Sequence, residues 1–310
     1  MPPPAFGGEF MVSVEKKRRV TLTTRNTLVG LSFILPNFIG FFIFVLVPVL
    51  FSLILSFAEW DGFNPIKFAG LDNFISIFDD RVFRGSIWKT FYFSIFTVLF
   101  SMCASLGLAV LLNQKLKGRG IFRCAIFFPY VASTVAVATV WNFLFRDIGP
   151  INQFLTAIGI SDPPGWTASS DWVIPALIIV NIWKNMGYFM IVYLAALQDI
   201  PESLYEAAMI DGAGSVQRFL RITLPMLTPS TFFVVMMLTI NSFKVFDLVY
   251  LMTEGGPGNA STMMSQYIYN RAFIAWNYGE SSAAAMILFL IIALLTVLQF
   301  RMEKKWVSYM

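Results

Sequence analysis

Histidine is absent from the 310-residue sequence. Because imidazole is the usual proton carrier near neutral pH and the commonest metal ligand, its absence excludes imidazole-based catalysis and argues against a metal site. The two cysteines, Cys103 and Cys124, both lie in or beside apolar runs, where a thiol behaves as a small hydrophobe. We therefore expect no disulfide framework and no metal centre.

Charged residues are scarce as well, at 13% of the chain, whereas apolar residues make up 57%. This composition lies outside the usual range of soluble proteins. The apolar residues are gathered in runs of about twenty or more, the length that a helix needs to cross a hydrocarbon core of about 30 Å. The sequence thus predicts an all-α polytopic membrane protein.

Six apolar runs predict six transmembrane helices. They are centred on residues 28–57, 87–112, 121–145, 172–197, 232–251 and 282–300. We interpret residues 1–10, which are rich in proline and glycine and precede a second methionine, as an added leader. A basic N-terminus at 11–27 and a short tail at 301–310 flank the membrane domain at 28–300.

The basic residues predict the orientation of the chain, because cytoplasmic segments retain positive charge. If the N-terminus is cytoplasmic, the segments on that side hold fourteen lysines and arginines, and the external segments hold six. The other two, Lys184 and Lys244, lie within spans. We therefore expect both termini in the cytoplasm.

Residues 199–223, between the fourth and fifth runs, are too polar to cross a bilayer. Asp199, Pro201 and Glu202 predict the cap, the early proline and the acidic first turn of a helix. This helix has an apolar stripe, which a surface helix normally buries. We therefore expect a helix in the cytoplasm at this point.

A second short helix is expected after a tight turn. Gly212 and Gly214 supply the permissive backbone for the turn, and Ser215 is placed to cap the next helix. The whole segment is then a cytoplasmic helical hairpin. Its periodicity fits a groove on another protein and a lipid surface equally well.

The spacing of residues in this hairpin resembles the EAA motif of permease subunits in ABC importers. The matching residues are Glu206, Ala207, Ala208, Gly212, Ile222, Leu224 and Pro225. In that family the hairpin docks in a cleft of an ATPase and transmits its closure to the spans. The resemblance thus implies ATPase coupling by Glu206, Ala207, Ala208, Asp211, Gly212, Ala213 and Gly214.

Three further stretches resemble the carbohydrate-uptake branch of these permeases, which includes the maltose, multiple-sugar and glycerol-3-phosphate systems. They are FAGLDNF at 68–74, TEGGP at 253–257 and GESSA at 279–283. The resemblance implies a type I ABC importer permease fold in the bacterial cytoplasmic membrane and a sugar or oligosaccharide as substrate. The two extra N-terminal spans and the large external domain of the maltose permease have no counterpart here.

The resemblance also implies the partners. They are a second, homologous permease forming a heterodimer, two cytoplasmic ATPase subunits and an external solute-binding protein, working by alternating access. Because the sequence contains no glycine-rich loop with its phosphate-binding lysine, we expect ATP and Mg²⁺ in the ATPase subunits and no cofactor here. The chain is then not itself an enzyme, and no nucleic acid is expected.

Polar residues inside two of the runs are candidates for the substrate pathway, because such groups usually face a partner or a water-filled cavity. One cluster shares a helix face in the fourth run, and the other lies in the fifth. Aligning the EAA motif with that of the maltose permease implies sugar contacts at Asn181, Lys184, Asn185, Tyr188, Leu238, Asn241, Ser242 and Val245. Six of these eight side chains can hydrogen-bond, as sugar hydroxyls require.

The two intramembrane lysines have two interpretations. Lys184 and Lys244 can pair with Asp247 inside the bundle, as intramembrane charges usually do. If instead they line the pathway, they favour an acidic substrate such as a uronide or a phosphorylated polyol. Intramembrane charges also fit an ion-coupled secondary transporter, but that class predicts inverted repeats that the sequence does not show.

Overall fold

The computed structural model describes residues 12–114 and 117–306. The predicted leader at 1–10 and the last tail residues, 307–310, lie outside this range. The described residues up to Ile54 and those from Leu55 onward form separate compact units. In the described part of the first unit, helix α1 (Val12–Phe41) continues through a π-helical turn (Phe42–Leu46) into α2 (Val47–Leu55). Its apolar part, Val29–Leu55, is long enough to cross a membrane.

The second unit opens with a two-stranded antiparallel ribbon. Strand β1 (Ala58–Glu59) pairs with β2 (Lys67–Phe68), and Ala58 lies opposite Phe68. The short helix α3 (Asp72–Asp79) follows, and then α4 (Arg81–Asn113), the longest helix of this unit. Asp80 separates α3 from α4 and caps the latter, because its side chain accepts a hydrogen bond from the backbone of Val82.

The remaining helices alternate between long spans and short surface segments. They are α5 (Arg119–Val131), α6 (Thr134–Leu144), α7 (Pro150–Ala157), α8 (Val173–Gln198), α9 (Glu202–Ile210), α10 (Ser215–Arg218), α11 (Leu224–Met226), α12 (Thr228–Phe243), α13 (Asp247–Thr253), α14 (Met264–Tyr269) and α15 (Tyr278–Trp306). Two further π-helical turns, Phe219–Thr223 and Asn270–Ile274, join α10 to α11 and extend α14.

Six membrane spans are found among the described residues when bent helix pairs are counted as one span each. Four are single helices, and the bent pairs are α5 with α6, at 99°, and the helices of Ser215–Met226 with α12, at 64°. The all-α prediction with six spans is thus confirmed, with the short ribbon as an addition. The predicted third span is broken at Ala132 and Ser133.

The predicted fifth span is wrong at its end. We expected one helix to residue 251, but α12 ends at Phe243 and α13 begins at Asp247. Between them, Phe246 has φ −135° and ψ −60°, which is not helical. The polar residues of this stretch therefore belong partly to a break in the helix, and that break positions the site described below.

The core of the second unit is built on α4 and α8, which share the most extensive helix–helix contact. A stripe of small hydroxyl residues, all buried, runs along α4 at three- and four-residue spacing. These are Ser86, Thr90, Ser94, Thr97, Ser101 and Ser105. Small residues allow close approach of membrane helices, since no hydrophobic force drives helices together within lipid.

Helices α5 and α8 approach each other closely at Gly187. A Cβ at this position would lie 2.1 Å from the carbonyl oxygen of Ile126 on α5. No side chain can occupy that space, so glycine is required for the contact. The contact lies one helical turn before Tyr130, which faces the cavity described next.

Candidate functional site

A cavity of about 400 Å³ lies where the two broken spans meet α8. It collects polar side chains from α4, α5, α6, α8, α12 and the break between α12 and α13. Its lining residues are Thr97, Tyr130, Thr134, Asn181, Lys184, Asn185, Leu238, Asn241, Ser242, Lys244, Val245, Phe246, Asp247 and Leu248. Seven of the eight predicted substrate residues are therefore brought together in one cavity.

Helix α8 contributes a pre-arranged amide pair. The side-chain amide of Asn185 donates to the side-chain oxygen of Asn181 at 2.7 Å and to its backbone oxygen at 2.8 Å. Because these residues are one turn apart, their amides stack along one face of the helix. The pair is held in place by α8 itself and still presents further donors and acceptors to the cavity.

The end of α12 and the break after it supply the other wall. Asn241, Lys244 and Asp247 are exposed to the cavity, whereas Leu238 and Ser242 are buried behind them. The hydroxyl of Ser242 donates to the backbone oxygen of Thr239 at 3.0 Å. Asn241 is the exposed amide of this wall, and the buried Leu238 adds an apolar surface behind it.

Among the described residues, the charged side chains of the cavity do not pair with one another. The Lys184 ammonium donates to the hydroxyl of Thr134 at the start of α6. Within the described part of the chain, the ion pairs all involve Arg271, so neither Lys184 nor Lys244 is in contact with Asp247. The cavity therefore holds two cations and one carboxylate, each available to a ligand.

Tyr188 lies beside the cavity rather than in its lining. Its ring stacks on that of Tyr130, with centroids 4.6 Å apart and planes 16° apart. Tyr130 carries the aromatic surface that faces the cavity. Sequence reasoning missed Tyr130 and Thr134. The residues directly before them, Pro129 and Ser133, are typical signals of a helix break.

The predicted helical hairpin is present, but its first cap is wrong. Asp199 ends α8, and Pro201 precedes α9 without any side-chain cap. The turn at the tip is closed by the backbone: Ala213 donates to Ala208 at 2.8 Å, and Gly212 donates to Met209 at 3.1 Å. This pair of bonds is a Schellman motif, and it needs the left-handed conformation that Gly212 adopts at φ +77°.

The seven predicted coupling residues lie around this turn. Glu206, Asp211 and both glycines are exposed. Beside them, Ile210 is 87% exposed and Val216 is 72% exposed, so the tip presents apolar side chains that the described chain does not cover. At its base, a 2.9 Å hydrogen bond between the hydroxyls of Tyr205 and Thr223 ties the two arms together.

Comparison with known proteins decides between the classes of function that this geometry permits. The profile of the family described as binding-protein-dependent transport system inner membrane component matches residues 101–307. This chain belongs to that family. It is the permease component of an ATP-driven importer, and ATP is hydrolysed by separate subunits.

Individual relatives agree with this assignment. The probable ABC transporter permease protein YesP of Bacillus subtilis (strain 168) is 37% identical over 92% of this permease and 93% of its own length. The lactose transport system permease protein LacF of Rhizobium radiobacter is 38% identical over 87% of this permease and 92% of its own length.

A solved structure confirms the predicted type I importer fold. A chain in the crystal structure of a bacterial ABC transporter involved in the import of the acidic polysaccharide alginate superimposes with a TM-score of 0.81. It is 27% identical, and the match covers 94% of this permease and 100% of that chain.

An ion-pair cluster fastens the opposite end of the permease, between α3, α4, α14 and α15. Arg271 pairs with Asp80 and, at 3.4 Å, with Glu280. The hydroxyl of Tyr267 donates to Asp80 at 2.9 Å, and Ser76 donates to Glu280 at 2.6 Å. The cluster therefore joins segments that are distant in the sequence, since Asp80 and Arg271 are 191 positions apart.

The protonation of Asp80 depends on this cluster. Partial burial by itself raises the pKa of Asp80, but hydrogen bonds from the Val82 backbone, Arg271 and Tyr267 outweigh it and hold the pKa below its usual value. A lowered folded-state pKa stabilises the fold above the unfolded-state pKa of about 4, and that stability is lost as the pH falls through the folded value.

We therefore predict that Asp80→Asn lowers the melting temperature of the purified permease at pH 7. The reason is that Arg271 loses its charged partner, while the introduced amide keeps only part of the hydrogen bonding. The deficit relative to the wild type should shrink as the pH falls from about 4 toward the lowered folded-state pKa of Asp80, below which the wild type also loses the charged partner of Arg271. Asp79→Asn, at an exposed neighbour, is the control, and an equal acid response in both variants would refute the role of Asp80.

Proposed function

We propose that this permease forms a heterodimer with a second, homologous permease and carries a sugar or oligosaccharide from an external binding protein into the cytoplasm. The cavity supports this proposal most directly. It combines the amide pair of Asn181 and Asn185, Asn241 and the Tyr130 ring, and sugars require both hydrogen-bonding groups for their hydroxyls and an aromatic surface for their apolar faces. LacF and the alginate transporter, both similar to this chain, are named for carbohydrates.

The substrate is acidic in this proposal. Lys184 and Lys244 face the cavity without an ion-pair partner among the described residues, and Asp247 offsets only one of them. A cation inside a membrane cavity is stabilised when an anion binds beside it, so a uronide or a phosphorylated polyol would balance the excess positive charge of this cavity. The similar alginate transporter is described as importing an acidic polysaccharide.

The helical hairpin suggests how the permease is coupled to its ATPase subunits. We propose that its tip, from Glu206 to Gly214, docks on one of the two cytoplasmic ATPase subunits, which bind ATP and Mg²⁺. Both termini then lie in the cytoplasm. Closure of the ATPases moves the hairpin and opens the cavity outward, the binding protein releases sugar into it, and hydrolysis restores the inward-facing state. An ion-coupled mechanism finds no support in a family that depends on a binding protein.

The proposal is tested on the intact complex in proteoliposomes, with acidic and neutral oligosaccharides compared for stimulation of ATPase activity and for uptake. We expect acidic ones to stimulate the wild type. Lys184→Ala should weaken uptake of an acidic sugar by about tenfold or more, because a charge-assisted hydrogen bond contributes about 1.5–3 kcal/mol. Lys184→Arg, which keeps the charge, is the matched control.

Two outcomes contradict different parts of the proposal. Equal losses for acidic and neutral sugars in Lys184→Ala would show that the lysine does not select for charge. If no carbohydrate stimulates the wild-type complex while another class of solute does, the assignment of a sugar substrate is wrong.

A further inference from the structure

Helix α3 has three distinct faces. Asn73 and Ile77 are buried against the rest of the unit, and the amide of Asn73 donates to the backbone oxygens of Ser56 and Ala58 at 3.1 and 2.9 Å. A second face is polar and exposed, with Asp72, Ser76 and Asp79 at four- and three-residue spacing. This division is more specific than a simple amphipathic helix, which has two faces.

The third face of α3 is apolar and exposed. Leu71, at the start of the helix, is 61% exposed, Ile75 is 59% exposed and Phe78 is 45% exposed. Positions 71, 75 and 78 repeat the same helical spacing, about 100° from the polar face. A helix with an apolar face beside a polar face, and a third face packed on the rest of the protein, suits the boundary between lipid and water.

The position of α3 along the membrane normal follows from α4. Helix α4 has 33 residues and is therefore about 50 Å long, whereas a hydrocarbon core is about 30 Å thick. About 10 Å at each end then extends into the headgroup layers. Since α3 ends one residue before α4 begins, α3 lies at headgroup height. Trp88, which is 73% exposed, lies seven residues into α4, where the headgroup layer gives way to hydrocarbon.

Exposed arginines complete the pattern. Arg81 and Arg84 form the first turn of α4, immediately after the apolar face, and the ion pairs of the described residues do not include them. Guanidinium groups at headgroup height match lipid phosphates in charge and in geometry. A protein partner would not require apolar, polar and basic groups to follow one another in this order.

We propose that α3 is an interfacial anchor: its Leu71, Ile75 and Phe78 face is immersed in the boundary between headgroups and acyl chains, and Arg81 and Arg84 bind lipid phosphate. The leaflet is the outer one if the orientation under the proposed function is right, but immersion in lipid does not depend on that orientation or on the sugar.

The test measures immersion directly with spin labels on the intact complex in vesicles of phosphatidylcholine and phosphatidylglycerol. Cys103 and Cys124, both exposed free thiols, are first replaced by alanine. Labels are then placed singly by Leu71→Cys and Ile75→Cys, with Asp72→Cys and Asp79→Cys on the same helix as matched controls. Lipid-soluble oxygen should relax the first pair more than a water-soluble nickel chelate does, and the controls should show the reverse.

Two results of the labelling would overturn the anchor. If nickel relaxes the Ile75 label more than oxygen does, the face is in water. If neither reagent reaches it, a protein partner covers the face. If the label is immersed in lipid but the complex does not transport sugar, the result counts against the proposed function alone. If transport is normal but the label is in water, the result counts against the anchor alone.

The arginines are tested by lipid composition. In vesicles that contain phosphatidylglycerol, Arg81→Gln with Arg84→Gln should shift the oxygen-to-nickel ratio of the Ile75→Cys label toward water by at least about twofold. In phosphatidylcholine alone the shift should be smaller, because the anionic surface is absent. An equal ratio in all four combinations would refute phosphate binding by these arginines.

Discussion

Replacing Ile210 by aspartate should abolish ATP-driven uptake while the permease still folds. Ile210 is 87% exposed at the tip of the hairpin, so the fold of its own chain does not depend on its burial. Burying isoleucine on a partner contributes about 1.5–3 kcal/mol, and an aspartate there would add a desolvation penalty of several kcal/mol. Together these terms weaken ATPase binding by more than about a hundredfold. Co-purification of the ATPase subunits and uptake in proteoliposomes measure the effect.

Ile148 offers a matched control for this substitution. It is 85% exposed between α6 and α7, on the side of the membrane that we expect to face outward. Ile148→Asp should leave ATPase binding unchanged. Glu206→Ala separates docking from coupling, because it removes a carboxylate but no apolar surface. If Glu206→Ala permease assembles and couples hydrolysis to transport at the normal rate, Glu206 has no coupling role.

Gly187→Val should destroy the cavity by separating α5 from α8. A Cβ at Gly187 would lie 2.1 Å from the Ile126 oxygen and 2.8 Å from its carbonyl carbon, and backbone atoms cannot rotate away as side chains do. Such overpacking costs about 3 kcal/mol or more. We expect a lower melting temperature and, where protein is recovered, loss of transport, since Tyr130 on α5 is displaced with Ile126.

Gly107→Ala provides the comparison for this variant. Gly107 lies inside α4, and nothing in the described part of the chain lies within 4 Å of a Cβ built there. Alanine is better than glycine in a helix interior by about 0.5–1 kcal/mol, so the melting temperature should be unchanged or slightly higher. Equal melting temperatures for the two variants would mean that α5 and α8 are not in close contact.

The sequence predicted the number and rough position of the spans because length and hydrophobicity decide what crosses a bilayer. It did not predict how they bend. The break at Ala132 and Ser133 interrupts an apolar run without any charge, and the break after Phe243 falls among polar residues that suit a helix face equally well. Bends of this kind depend on which neighbours satisfy the freed backbone groups, and a single helix does not contain that information.

The candidate site was predictable to the extent that polar residues stand out within apolar runs. Asn181, Lys184 and Asn241 were found in this way. Tyr130 was missed because a tyrosine beside a proline in an apolar run is equally typical of a lipid boundary. The sequence left open whether the lysines pair with Asp247 or line the pathway; the ion pairs of the described residues include neither lysine, and Lys184 instead donates to Thr134 from another helix.

The two arms of the hairpin join the membrane domain in different ways. Helix α8 is a continuous α-helix of 26 residues that leads from Lys184 to the hairpin without interruption, over about 21 Å. The other arm passes through a π-helical turn and a 64° bend before it reaches α12. The α8 arm is therefore continuous, whereas the other arm contains a bend. A displacement of the hairpin would move the cavity wall that carries Asn181 and Asn185 directly, because α8 is continuous. The wall that carries Asn241 would move less, because the bend lies in between. The distance between the two walls would therefore change.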